Sequence, residues 1–390
     1  MKVLCLGAGA MGRAAAKTAV DFKEIAAMTI ADLDGDAAKA AADQCGPKAG
    51  SCAISVLDRA ALVALMRQHD GVLNCVGPFF RFAVPVLTSA IEAGVHYFDI
   101  CDDPEPTRDM LDLGKEAEKA GITAVVGLGA TPGITNMLAQ KIHGMLTSTE
   151  ELHAAWNIEE KTAEGTNKLE YSAAIVHWMK QCSGRILERR SGELTPVGPL
   201  REVMLDYPGR GTRKVWTVGH PEPVSFSWSY PEIRNSSCYM VMPGLAADYF
   251  QKLSEQIDRG ALTLEEAGHK LIEWSQEDSL IERGIAALYS LFEGPRLPLL
   301  FALAKGEREG KRMTIAATLK AMPRDMATMT GVPLAIGLHQ FAEGRIAKKG
   351  VLTPEIALDG DRFFAELAPF CIYPREVREE ELLDITEEEG

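Results

Sequence analysis

The sequence predicts an α/β protein: a Rossmann-type, doubly wound parallel sheet joined to an α+β part with a mixed sheet. Three observations carry that reading. Short apolar runs alternate with helical stretches over the first 130 residues. The loop Gly7–Gly12 has the pattern GxGxxG and lies between the first apolar run and the first helical one. The middle of the chain loses this rhythm, mixing strand-like and helical segments before an apolar helical stretch returns at 328–343. With 390 residues, two domains are expected at about 100–200 residues each.

The elements follow in order. Residues 2–6 read as a strand and 13–22, rich in Ala, as a helix. Residues 25–31 are the second strand, 35–45 a helix and 52–56 the third strand. Asp58 can cap a helix over 59–69, its carboxylate taking up free backbone N–H groups. Strands at 71–76, 95–100 and 123–128 alternate with helices at 83–93 and 107–120. Short strands each followed by a helical run argue for βαβ units. Further on, 151–158 reads as a strand and 169–181 as a helix with Tyr171, Ile175 and Trp178 at helical spacing. Residues 185–230 read as short strands and turns, with Phe226 to Tyr230 alternating like a strand that walls a pocket. Residues 246–292 are mostly helical, and 312–320 alternate like a strand of a mixed sheet.

Composition narrows the function classes. Hydrophobic residues are 46% and charged residues 25%, as in an ordinary soluble globular protein. The net charge of −14 disfavours a nucleic-acid partner. No segment reaches the roughly 20 apolar residues of a membrane span, so no membrane partner is expected. The chain runs from Met1 straight into a strand-like segment, so no signal peptide is expected. Residues 376–390 hold eight acids against Arg378 and read as a solvated, partly frayed acidic tail. The eight Cys are irregularly spaced, without a CxxC pair, which predicts free thiols in a reducing cytoplasm. The His residues show no paired metal spacing, and no metal site is expected; His96, beside Tyr97, reads as a buried structural residue. A GxSxG elbow and a Walker loop are both missing from the sequence.

The glycine loop has a specific physical logic. Gly7 allows the tight turn, Gly9 lets the backbone approach a pyrophosphate, and Gly12 lets helix and strand pack closely. The helix that follows Ala10 and Met11 offers N–H groups and a dipole that favour phosphate, so both residues are expected beside the cofactor. Asp32, 20 residues after Gly12, is placed to accept ribose hydroxyls, with Leu33 beside it. A carboxylate there repels a 2′-phosphate, and no Arg or Lys follows before Lys39, so NAD is expected rather than NADP. In such sheets ligands bind beyond the carboxyl ends of the strands. That directs attention to Cys75, Val76, Gly77 and Pro78, expected beside the cofactor, to Asp102 and Asp103, and to the loop 129–133.

Taken together, GAGAMGR (7–13), NCVGPFF (74–80), FDICDD (98–103) and GLGATPGITNMLA (127–139) resemble the saccharopine dehydrogenase family. In layout the region 328–372 is most similar to lysine 6-dehydrogenase within it. The resemblance implies NAD(P)-linked oxidoreduction at a carbon–nitrogen bond of an amino acid. It also implies a homodimer, and a cofactor domain made from both chain ends. The expected boundaries are 1–130 with 325–372 for the cofactor domain, 131–324 for an inserted substrate and dimerisation domain, and 373–390 for the tail.

Oxidising an amine requires hydride loss from carbon and proton loss from nitrogen. Asp102 and Asp103 are the expected catalytic pair: one can hold a cationic amine, and like-charge proximity can raise the pKa of the other. Residues expected to meet the amino-acid-like substrate are Phe79 and Arg81, Thr131, Pro132 and Gly133, and Tyr171 and Arg234 in the middle segment. Arg210 and Arg213 are further candidates for a substrate carboxylate. The expected activity is therefore a lysine 6-dehydrogenase-like reaction. The alternatives are a secondary-amine dehydrogenase of the saccharopine or carboxynorspermidine type, an alcohol or aldehyde dehydrogenase on the same fold, and an NAD-holding sensor.

Overall fold

The structure is a computed structural model that describes residues 1–158, 173–276 and 296–390. Two compact units divide the chain: Met1–Gln140 with Leu319–Leu383, and Lys141–Thr318 with Asp384–Gly390.

The first unit is built on β1 (Lys2–Leu6), β2 (Ala27–Asp32), β3 (Ala49–Ala53), β4 (Gly71–Asn74), β5 (His96–Asp99) and β6 (Thr123–Val125). Between them run α1 (Ala10–Val20), α2 (Gly35–Gln44), α3 (Arg59–Met66), α4 (Phe79–Ala93), α5 (Pro104–Asp112) and α6 (Gly114–Lys119), and α7 (Ile134–His143) follows β6. The late strand Gly350–Leu352 completes a seven-stranded sheet in the order late strand–β6–β5–β4–β1–β2–β3. Every neighbouring pair in it is parallel. The order reverses between β1 and β4, the switch point at which doubly wound sheets open a crevice. Central strands buried on both faces read as continuous apolar runs, as Val3 to Leu6 does.

Local chemistry explains the helix starts. Asp34 accepts from the Asp36 and Ala37 N–H groups, and Asp58 from that of Ala61, as expected of caps. The helix expected over 107–120 is two helices, α5 and α6, meeting at Leu113. Pro104 and Pro106 occupy the first turn of α5, where a missing N–H is harmless.

The second unit contains β7 (Ser148–Asn157), α8 (Ala173–Gln181), β8 (Ile186–Arg190), β9 (Glu193–Val197), β10 (Glu202–Tyr207) and β11 (Gly211–Val218). It continues with α9 (Glu222–Ser229), β12 (Cys238–Val241), α10 (Gly244–Asp258), α11 (Leu264–Gln276), β13 (Leu300–Arg308) and β14 (Lys311–Leu319). The chain then returns to the first unit as α12 (Met326–Ala342), β15 (the late strand Gly350–Leu352), α13 (Pro354–Ala357) and α14 (Gly360–Leu367), and ends in β16 (Leu383–Glu389) on the second sheet. The second sheet is ordered β10–β11–β12–β7–β13–β14–β16, with β7 and β12 parallel and β7 and β13 antiparallel. Tyr207, Tyr239, Phe301 and Leu303 form its core on one face, Tyr207 meeting the Phe301 ring edge-on at 5.2 Å.

Two expectations are corrected here. Phe226 to Tyr230 is not a strand but lies at the end of α9: Phe226 is fully buried while Trp228 is 50% exposed. Pro221 and Pro223 set a helical first turn, and aromatic alternation in so short a stretch also fits helical spacing of Phe226 and Tyr230. Residues 373–390 are not a frayed tail, because β16 lies beside β14. Arg308 pairs with Glu387, Lys311 with Glu389 at 2.9 Å, and the Gly390 N–H donates to the Arg312 carbonyl at 3.0 Å. The neutralising cations come from the β13–β14 hairpin, distant in sequence. The parts of the expected helices at 169–172 and 277–292 lie outside the described residues.

A buried carboxylate aligns the strand ends of the first unit. Asp99 Oδ1 accepts from the Cys101 N–H at 3.0 Å and the Gly127 N–H at 2.8 Å, and Oδ2 accepts from the Tyr97 hydroxyl at 2.8 Å. Asn74 donates to the same hydroxyl at 2.9 Å and accepts from the Val76 N–H at 3.1 Å. Burial pushes the Asp99 carboxyl up to about 6, against the lowering effect of its donors.

Two predictions follow from this packing. A Cβ on Gly331 of α12 would stand 2.6 Å from the Ala15 nitrogen and 2.7 Å from the Met11 carbonyl of α1. Gly331→Ala should therefore destabilise the protein by about 1–3 kcal/mol in urea unfolding. The native state holds the Asp99 proton more tightly than the unfolded chain does. Its stabilising contribution is thus full below the unfolded value of 3.8 and lost as pH rises through about 6. The stability of wild type relative to Asp99→Asn should fall by on the order of 3 kcal/mol across that window. A flat difference would remove the assigned role of burial.

Candidate active site

The glycine loop has the geometry that its pattern requires. Gly7 takes a φ of +95°, and its N–H donates to the Ala31 carbonyl at 2.8 Å. A Cβ there would lie 2.9 Å from the Cys75 carbonyl oxygen, and one on Gly12 would lie 1.9 Å from the Gly7 oxygen. Gly9 differs: it is exposed, and a Cβ on it would meet nothing within 4 Å. Gly9 is also the N-cap of α1 and makes no side-chain cap, so Ala10 and Met11 begin a helix whose first N–H groups no cap side chain covers. The fold implies a dinucleotide, and this open, uncapped helix start fits its pyrophosphate.

Asp32 closes the same edge. Its Oδ2 accepts from the Ala8 N–H at 2.7 Å and its Oδ1 from the Asp34 N–H at 2.9 Å. The carboxylate is thus fixed between the glycine loop and the start of α2. Leu33 is 77% exposed and Leu57, after β3, is 72% exposed. Sequence reasoning included the first and missed the second, whose signal is an apolar residue just before the Asp58 cap.

The loop after β4 runs alongside. Cys75 and Val76 are half-buried, Gly77 is exposed, and Gly77-Pro78 is a cis peptide. Phe79 is buried at the start of α4, while Arg81 is exposed with its guanidinium 5.3 Å from the Phe82 ring. The two expected acids differ. Asp103 is fully buried, and its Oδ2 accepts from the Phe80 N–H at 2.9 Å, tying the start of α4 to the end of β5. Asp102 is only half-buried. Between Asp99 and Asp103, the Cys101 thiol is pushed up by burial and by both carboxylates, which keeps it protonated.

After β6, Thr131-Pro132 is a cis peptide and Gly133 takes a φ of +124°. A Cβ on Gly133 would lie 2.0 Å from the Gly129 oxygen, so only glycine fits. Its N–H donates to Asn136 at 2.8 Å, and Asn136 donates to the buried Glu355 at 2.8 Å. The predicted residues of the first unit therefore gather along the carboxyl edge of one sheet. His96 stands at the opposite, amino end of β5. Its Nδ1 accepts from the Thr123 N–H at 2.9 Å, and burial lowers its pKa.

In the second unit, Arg234 is exposed, and its backbone bonds to Glu150 and Gly192. Tyr171 lies outside the described residues. Arg210 and Arg213 are committed to backbone carbonyls of Arg296 and Thr212. A polar pocket of about 390 Å³ lies in this unit, lined among others by Glu151, His153, Arg190, Arg201, Tyr239 and Lys305. Buried Glu188 receives Arg201 at 2.9 Å and Arg190 at 2.8 Å. The hydrogen bond from His153 and the charge of Lys305 hold Glu151 down at about 2 despite its burial. His220 and Glu222 form a buried pair at 2.6 Å, with Cys238 close by. The scattered positions of these residues hid both clusters from the sequence reading.

Comparison with known proteins agrees with this geometry. Residues 3–125 match the saccharopine dehydrogenase NADP binding domain, and residues 129–370 match the saccharopine dehydrogenase C-terminal domain. Carboxynorspermidine synthase of Vibrio alginolyticus is 22% identical over 342 residues, covering 80% of this chain and 78% of that protein. A saccharopine dehydrogenase-like oxidoreductase of Mus musculus is 33% identical over 100 residues, 23% of this chain and 22% of that one. The apo structure of saccharopine dehydrogenase (L-Glu forming) from Saccharomyces cerevisiae shares the fold, with a TM-score of 0.66 at 18% identity over 99% of both chains. With both domains matched in sequence and the two-unit architecture shared, the chain belongs to the saccharopine dehydrogenase family.

Proposed function

We infer that this chain is an NAD(P)-dependent oxidoreductase that transfers a hydride at a carbon–nitrogen bond of an amino-acid-like substrate. The observation that carries the reading is the shared edge: the open glycine loop, the Asp32 anchor and the half-buried Asp102 all stand at carboxyl ends of strands in one sheet. The nicotinamide, when bound, accepts or delivers the hydride. The protein's task is to position the carbon and to handle the proton.

In the oxidising direction the substrate nitrogen first gives up its ammonium proton. Its lone pair then forms the carbon–nitrogen double bond as the hydride leaves carbon. Asp102 is the proton acceptor in this reading, because it is half-buried and within reach of solvent, whereas Asp103 is fully buried, accepts the Phe80 N–H and serves as a positioning residue. The similarity to carboxynorspermidine synthase over 80% of this chain supports a secondary amine over the primary ε-amine of lysine. Asp32 supports NAD over NADP: a fixed carboxylate, with both oxygens already held by backbone donors, repels a 2′-phosphate.

The test is steady-state turnover with NAD and NADP against lysine, saccharopine and carboxynorspermidine. Turnover is expected with a secondary amine and NAD. Asp32→Ala should lower kcat/KM for NAD by about tenfold or more and narrow the gap to NADP. Asp102→Asn should lower kcat by about 10²–10⁴-fold with cofactor binding retained. Equal turnover in Asp102→Asn would remove that residue from the mechanism. Faster turnover with NADP in wild type would overturn the cofactor reading.

A further inference from the structure

We propose that the first unit carries a divalent transition-metal site, of the Zn²⁺ class, formed by His339, Glu24 and Glu343. His339 lies on α12, Glu343 one turn later at its C-cap, and Glu24 in the loop between α1 and β2. One ligand atom from each lies within 4.8 Å of the other two.

The histidine is oriented for such a role. Its Nδ1 lies 3.0 Å from Glu366 Oε1 on α14, and Glu366 is itself held by the Arg362 Nε at 2.6 Å. Phe22 stacks on the imidazole at 4.0 Å with planes 8° apart. A carboxylate at Nδ1 fixes the ring and its tautomer, the arrangement that supports metal-binding histidines. Nε2 is then left as the ligand atom.

Two carboxylate oxygens converge on that nitrogen. Glu24 Oε2 is 3.4 Å away and Glu343 Oε1 is 3.8 Å away. Both distances exceed the usual 2.7–3.2 Å of a nitrogen–oxygen hydrogen bond. They suit neighbouring ligands of one cation instead, since bonds of about 2.0–2.2 Å give tetrahedral edges of about 3.3–3.6 Å. Glu24 Oε2 is buried without a hydrogen-bond partner. The other oxygens are engaged: Glu24 Oε1 faces Lys23 at 3.5 Å, and Glu343 Oε2 accepts from Arg345 at 2.8 Å. With Nδ1 as the donor to Glu366, an Nε2 lone pair facing these two oxygens calls for a cation among them; the Arg362 guanidinium, 3.8 Å from Glu343 Oε1, neighbours only the Glu343 side. One imidazole and two carboxylates suit a borderline cation such as Zn²⁺, with water completing the shell. Bound there, the ion would join the loop after α1 to α12 and add its binding energy to folding. Residues 24 and 339 are far apart in sequence, which is why motif spacing does not reveal the site.

The test uses the full-length protein, stripped with chelator and titrated with Zn²⁺ by calorimetry, with Co²⁺ absorption as a second readout. One Zn²⁺ per chain is expected, with a thermal midpoint that rises on loading and falls again with chelator. Glu24→Gln with Glu343→Gln should abolish stoichiometric uptake, and Glu366→Gln should weaken it by about 10–100-fold. Glu24→Gln alone, in a loop outside the helices, should weaken uptake with unchanged circular dichroism. Wild type without stoichiometric uptake would overturn the site, leaving an imidazolium ion-pair network only. Equal uptake by the double variant would also overturn it, assigning the ion to other residues.

Discussion

Parallel strands end in loops whose first N–H groups have left the ladder, and here buried or half-buried side-chain oxygens take them up. Asp99 receives Cys101 and Gly127, Asn74 receives Val76, Asp32 receives Ala8 and Asp34, and Asp103 receives Phe80. Each of these acceptors joins two segments that would otherwise be independent turns. A buried carboxylate without donors would cost several kcal/mol, so the loops and the acids require one another. That mutual requirement fixes the carboxyl edge of the first sheet. At Asp99 burial outweighs these donors and pushes the carboxyl up to about 6.

Charge in the second unit is organised differently. Lys311 on β14 pairs with Glu389 on the adjacent β16, Arg308 on β13 reaches Glu387 across β14, and Arg201, just before β10, pairs with Glu188 of the separate β8–β9 sheet. The exposed pairs at the edge contribute little individually, about 0–1 kcal/mol each. Their effect is on register: β16 is so acidic that it is compatible with a strand only beside a cationic neighbour, and β13–β14 supplies one. Glu188 is the exception, since its burial makes the two arginines obligatory.

What was legible in the sequence was local. The strand, glycine loop and helix at 2–20, the Asp58 cap and the βα rhythm each depend on contacts within a few residues, and each was readable. Asp32 was readable because its distance from the glycine loop is set by one βαβ unit. Phe226 to Tyr230 was misread because alternation in five residues satisfies a strand and one helical turn alike. The fate of the acidic tail depended on cations some 80 residues earlier, as with Arg308 and Glu387, and no local pattern encodes that pairing. Asp102 and Asp103 were adjacent and equivalent in sequence. Burial separates them: Asp103 is fully buried and takes the Phe80 N–H, whereas Asp102 is half-buried.

The same distinction separates cofactor from substrate. The cofactor edge depends on backbone that approaches too closely for a side chain at Gly7, Gly12 and Gly133. Such constraints leave a glycine signature that survives divergence, because any Cβ there collides with main chain. The side-chain clusters of the second unit, such as Arg190–Glu188–Arg201 and the Glu151–Lys305 pair, are of a kind that several other residue choices could replace. A relative at 22% identity can therefore share the first set and differ in the second. The substrate must accordingly be assigned by turnover, whereas the dinucleotide edge can be argued from contact distances alone.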